Sequence, residues 1–159
     1  MPIHVDFVKE QILNHFAQNK LDVGHLLNGK QFYLQRMNNW NPKQQDALDE
    51  GLKSLENEGL IELDENNDAK LTAKGVDHIY PPVDSFVRDS ILTSFKKSNS
   101  RAGHILNEKA FYFNNMSSWN PKQIAAFDTA INELVSEGLV ENRDDKIFLS
   151  PKGEDYIYS

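Results

Sequence analysis

Leu55-Glu56-Asn57-Glu58-Gly59-Leu60-Ile61-Glu62-Leu63 reads as the end of a helix, a glycine stop and the start of a strand. Upstream, Ala47, Leu48, Gly51, Leu52 and Leu55 recur at the spacing of one helical face. Gly59 suits the stop because glycine takes the left-handed backbone conformation without a Cβ penalty. Beyond it, Leu60 to Leu63 alternate as a short strand does. The passage returns 79 positions later as Leu134-Val135-Ser136-Glu137-Gly138-Leu139-Val140-Glu141.

Extended outward, the match lays Phe7–Glu62 on Phe86–Glu141 with 25 identities in 56 positions, where chance would give roughly 3. The chain is therefore an internal duplication, and the period divides its 159 residues into two small domains, 1–80 and 81–159. Tyr80-Pro81-Pro82-Val83-Asp84 joins them, and the paired prolines predict a short, stiff, extended linker.

Each copy opens on a helix: Val8, Ile12, Leu13 and Phe16 recur as Val87, Ile91, Leu92 and Phe95, with Asp6 and Ser85 as suitable N-caps. Gly24-His25-Leu26-Leu27-Asn28, matched by Gly103-His104-Ile105-Leu106-Asn107, reads as a brief strand or extended turn. Lys30, Phe32, Tyr33 and Met37, repeated as Lys109, Phe111, Tyr112 and Met116, predict a second short helix. Trp40-Asn41-Pro42-Lys43-Gln44 is repeated unchanged as Trp119-Asn120-Pro121-Lys122-Gln123. Asn as N-cap, Pro at the first helical position and Gln at the third make a capping box, so a third helix is expected from there to Gly59 or Gly138. A hairpin follows, one residue shorter in the second copy (Asn142-Arg143-Asp144-Asp145 against Asp64-Glu65-Asn66-Asn67-Asp68), and the copies close on Ile79-Tyr80 and Ile157-Tyr158.

Helix, short strand, helix, helix and hairpin is an α+β, mainly α arrangement. The passage from Leu55 to Ile61, followed by Leu71-Thr72-Ala73-Lys74-Gly75, resembles the end of the recognition helix and the closing wing strand of MarR-like and PadR-like winged helix-turn-helix regulators. The second copy carries the resemblance in Leu134 to Val140 and Leu149-Ser150-Pro151-Lys152-Gly153. It implies two tandem winged-helix domains, each of three helices and a small β-hairpin wing, acting as a covalent pseudo-dimer in a monomeric chain.

By that resemblance the start of the third helix and the wing would touch DNA. The implied contacts are Asn39, Lys43, Gln44 and Gln45, then Ser118, Lys122 and Gln123, with Arg143 and Lys146 on the second wing. Amides read adenine edges, Ser bonds several bases, and Lys or Arg meets guanine or phosphate. Asn41, Gln44 and their counterparts are equally explained as caps, and Trp40 and Trp119 as packing, whereas Lys43 and Lys122 have no such duty.

Charge points elsewhere. The net −7 divides into 8 basic against 13 acidic residues in 1–80 and 9 against 11 in 81–159, or −5 and −2. Nucleic-acid binders draw their non-specific affinity from excess Lys and Arg. Asp46, Asp49 and Glu50 on the outer face of the third helix would repel phosphate, and with Tyr33 and Tyr112 they suit a protein partner. Two readings follow: a DNA-associated transcriptional regulator, and an acidic scaffold for protein interaction.

Enzyme chemistry finds little footing. Gly24-His25-Leu26-Leu27-Asn28-Gly29-Lys30-Gln31 departs from a phosphate-binding loop, because Gln31 takes the magnesium position and Glu108 replaces the glycine in the second copy. His25 and His104 correspond but have no second ligand at metal-binding spacing, and there is no cysteine. No cofactor or metal is expected. Without an apolar run of about 18 residues or a leader-like amino terminus, no membrane role is expected and the cytoplasm is the default location.

Overall fold

The structure, a computed structural model, describes residues 3–159. Two compact units divide the chain, Met1–Pro82 and Val83–Ser159. Each is mainly helical with one two-stranded antiparallel sheet.

Unit 1 begins with α1 (Ile3–Gln18), which buries Val5, Val8, Ile12, His15 and Phe16 along one face. Asp6 lies inside the first turn rather than at the N-cap, where its charge still complements the positive helix end. Then come α2 (Gly29–Gln35), a 3₁₀ turn (Met37–Asn39), α3 (Pro42–Asp46) and α4 (Leu48–Asn57). Strands β1 (Ile61–Leu63) and β2 (Ala69–Leu71) and a closing helix, α5 (Ala73–Ile79), complete it.

Unit 2 repeats the order as α6 (Phe86–Lys97), α7 (Glu108–Asn114), a 3₁₀ turn (Met116–Ser118), α8 (Pro121–Ala125), α9 (Phe127–Ser136), β3 (Val140–Arg143), β4 (Lys146–Leu149) and α10 (Pro151–Ile157). Ser85 precedes α6 but makes no cap; its hydroxyl donates to Asp89 instead, 2.9 Å away.

The expectation of three helices per unit needs correction. The single helix expected from Asn41 to Gly59 is two, broken at Ala47, where ψ rises to −2°, and at Ala126, where it is −6°. Each short first piece starts on a complete capping box: Asn41 accepts from the Gln44 N–H and Gln44 accepts from the Asn41 N–H, both at 2.9 Å. Asn120 and Gln123 do the same. The terminal segments are also helical, started by Thr72 and Ser150 as caps.

The glycine stop behaves as expected. Gly59 and Gly138 have φ of 79° and 77°. Leu60 N–H reaches Leu55 C=O at 3.1 Å and Gly59 N–H reaches Glu56 C=O at 2.9 Å, the paired bonds of a Schellman end. Lys74 and Lys152 extend their ammonium groups to the Glu58 and Glu137 carbonyls at the same helix ends, both at 2.9 Å.

The hairpins differ in their turns. Asp64 accepts the Asn66 and Asp68 N–H groups and so organises the longer first turn. Asp144 and Asp145, at φ of 53° and 60°, form a two-residue turn with both residues left-handed. The extended segment before α2 or α7 adds one further bridge to each hairpin, Leu26 to Lys70 and Ile105 to Phe148.

Each core is built from matching residues. Trp40 packs edge-on to Phe7 and Phe32, with ring centres 5.6 Å apart in both pairs. Trp119 meets Phe86 and Phe111 in the same way. Fully buried Phe16, Phe32, Phe95 and Phe111 each contribute about 1.5–3 kcal/mol of burial. The tryptophans of the repeated Trp-Asn-Pro-Lys-Gln segment thus serve packing.

Candidate interaction surfaces

Residues shared by the two copies separate into those with a structural task and those without. His25 and His104 belong to the first group: Nδ1 of each accepts a backbone N–H, from Asp22 at 2.8 Å and Arg101 at 3.0 Å, and closes the turn that contains the preceding Gly24 or Gly103. Glu58 and Glu137 tie the end of α4 or α9 to the first helix of their unit, through Lys9 at 2.8 Å and through Arg88. The Glu137 hydrogen bond raises the Arg88 pKa. Tyr80 and Tyr158 donate to the Leu21 and Ser100 carbonyls at 2.8 Å. Burial, with Asp22 nearby, pushes Tyr80 up to about 12.

Several sequence-derived DNA contacts are also engaged. Gln44 and Gln123 close their capping boxes, and Gln45 donates to the Trp40 carbonyl at 3.1 Å. Ser118 donates to the Asn115 carbonyl at 2.9 Å. Arg143 lies 4.2 Å over the Phe148 ring and 3.4 Å from the Glu141 carboxylate. Asn39 sits exposed on its 3₁₀ turn, Lys43 is exposed in the first turn of α3, and Lys122 is half-buried in α8. Lys146 is exposed at the start of β4. Asp46, Asp49 and Glu50 are exposed at the α3–α4 joint, so the acidic residues flank the break.

A second set is kept in both units without such a task. Tyr33 and Tyr112 are 52% and 51% exposed, and the next residues, Leu34 and Phe113, are 57% and 64% exposed. Lys30 and Lys109 precede them by one helical turn and are exposed too. Spacings of three and four place each Lys, Tyr and apolar residue on one outer face of α2 or α7. In each unit an exposed phenol thus stands beside an exposed bulky apolar side chain.

Sequence reasoning missed a polar cluster around buried His15 in unit 1. His15 is 1% exposed, its ring edge-on to Phe32 at 5.2 Å, and Nε2 has no hydrogen-bond partner among the described residues. Arg36 Nε donates weakly to His15 Nδ1 at 3.4 Å, while its two terminal nitrogens reach the Gln11 side chain at 2.7 Å and that of Gln18. Burial, then the Arg36 charge, holds His15 below its ordinary pKa. Unit 2 has none of this set: Ser90, Ser94, Lys97 and Asn115 stand at the equivalent positions. That coordinated difference was the available signal.

Among the described residues no group of His, Cys, Asp and Glu side chains could hold a metal ion, and no helix is long and apolar enough to cross a membrane. Compared with protein-family models, curated proteins and solved structures, the chain matches none.

Proposed function

We propose that this chain is a non-enzymatic protein-binding scaffold built from two winged helix-turn-helix units. Each offers the Tyr-apolar face of its second helix, Tyr33-Leu34 or Tyr112-Phe113, to a protein partner. The order of elements and the bridge from Leu26 or Ile105 to the hairpin support the winged-helix assignment. The observation that carries the binding reading is the half-exposure of the same tyrosine in both copies, although outward Asp46, Glu50 and Lys53 have become Ala125, Thr129 and Asn132 in the second copy. Tyrosine combines large contact area with few rotatable bonds and is enriched among interface hot spots. The acidic residues Asp46, Asp49 and Glu50 favour a partner with complementary basic charge.

Duplex DNA is the second reading, and exposed Lys43 and Lys146 favour it. Short α3 limits the usual insertion of a long recognition helix, and α4 begins with Asp49 and Glu50 in its first turn. Affinity capture with wild type and with a Tyr33→Ser/Tyr112→Ser double variant tests the scaffold reading. A hot-spot tyrosine is worth about 2 kcal/mol or more, so loss of both should weaken capture of a specific partner by at least about 30-fold. Tight binding to mixed-sequence duplex that falls steeply with salt, and is unchanged in the double variant, would overturn it.

A further inference from the structure

The cluster missing from unit 2 leaves a space. A groove of about 1220 Å³ runs between α6, the extended segment Gly103–Asn107, α7 and the β4 strand. Several lining positions are smaller than their unit 1 equivalents, among them Ser90 for Gln11, Ser94 for His15, Ser100 for Leu21, Ala110 for Gln31 and Asn115 for Arg36. One scaffold thus exists plugged and open within the same chain.

We propose that this groove binds an extended, acidic polypeptide segment of a partner. The inference rests on the protein-binding reading for the class of partner, but it uses a different surface. Its size exceeds the roughly 300–1,000 Å³ typical of small-molecule clefts. The 12 residues of α6 give a wall about 18 Å long, room for about five residues of extended chain.

The walls can pair with such a chain. Ile105 bridges Phe148 through its neighbours: His104 C=O accepts from Leu149 N–H at 2.9 Å, and Leu106 N–H donates to Ile147 C=O at 2.7 Å. In that register the N–H and C=O of Ile105 itself turn to the edge away from β4, and neither has a partner among the described residues. An incoming strand gains main-chain bonds there. The Thr93, Ser94 and Ser98 hydroxyls face the groove with no hydrogen bond to another described residue, so they remain available to peptide groups. Lys97 and Lys146 line it, while Asp89, the one carboxylate in the lining, already accepts from Ser85. The excess of positive charge selects an acidic segment.

Amide chemical-shift titration of the full chain tests this, using blocked hexapeptide pools with two fixed glutamates or two fixed lysines. The acidic pool should shift the Ile105, Ser94 and Asn115 amides with a Kd of about 1 mM or tighter. Ser94→His with Asn115→Arg should weaken that response at least tenfold, and Lys97→Glu with Lys146→Glu, both surface changes, should transfer preference to the lysine pool. No shift, an equal response to both pools, or an equal response to glutarate alone would overturn the assignment. Tyr33→Ser/Tyr112→Ser separates the two proposals. Groove binding with unchanged partner capture sinks the tyrosine reading alone, and tyrosine-dependent capture with no groove response sinks this one.

Discussion

Replacing Gly75 by alanine should cost unit 1 a large part of its stability. A Cβ there would stand 2.2 Å from the Leu60 carbonyl oxygen and 2.6 Å from Leu71 Cδ1, whereas ordinary contact begins at 3.4 Å. The carbonyl would have to retreat by about 1.2 Å, the difference between those two oxygen distances. It cannot do so freely, because it accepts from Thr72 N–H at 3.2 Å and Thr72 Oγ1 at 2.9 Å, the bonds that join the residue leading into β1 to the cap of α5. Overpacking costs about 1–3 kcal/mol. Weakening two hydrogen bonds adds about 1 kcal/mol each, and better helix propensity returns about 1 kcal/mol. The net loss is about 3 kcal/mol, against roughly 4–12 kcal/mol for a domain of this size.

Gly51→Ala is the control: its Cβ would meet the Val8 side chain at 2.7 Å, and unit 2 already carries Ala130 at the equivalent position. That change should stay within about 1 kcal/mol of wild type. Urea denaturation in a Trp119→Phe background, with buried Trp40 reporting on unit 1, measures both. A loss below about 1 kcal/mol for Gly75→Ala, or equal losses for both variants, would refute the close-approach reasoning.

Three further outcomes follow from particular groups. His15 is neutral in the fold, so between its lowered folded pKa and about 6.5 the unfolded chain binds a proton that the native one does not. Unit 1 should therefore lose stability as pH falls below about 6.5, by up to about 1.4 kcal/mol per unit, and His15→Gln should flatten that slope. Tyr80, pushed up to about 12, stays protonated where an unfolded phenol ionises, so its contribution is lost from about pH 10 to about 12. Tyr80→Phe should remove the late-titrating phenolate signal, and an unchanged ultraviolet titration would contradict that. Asn41→Ala removes the acceptor for the Gln44 N–H and should cost about 1 kcal/mol in urea denaturation, with the loss confined to the Trp40 transition.

Features carried by neighbouring residues were legible. The capping boxes at Asn41 and Asn120, the stops at Gly59 and Gly138 and the hairpins each depend on a few adjacent residues, so their signals are local. The break at Ala47 was not, because Ala, Leu and Gly continue the helical pattern through it and nothing in the sequence marks the change in ψ. Gln44, Gln45 and Ser118 have the right chemistry for bases, but their hydrogen bonds go to their own backbone neighbourhood. The half-exposure of Tyr33 and Tyr112 also depended on the fold, since an aromatic residue at helical spacing is as consistent with a core as with a surface.

The sequence by itself determined the duplication, the broad succession of helices and hairpin in each unit and the helix ends at Asn41, Asn120, Gly59 and Gly138, because identity at a fixed offset and capping chemistry need no three-dimensional context. Tertiary structure decided how the copies differ inside. Arg36 meets His15 across 21 positions of chain, and the unit 2 groove takes its shape from α6, α7 and β4 together. Volume is a property of packed segments, so substitutions scattered along the chain become a plug or an opening only after folding brings them to one place.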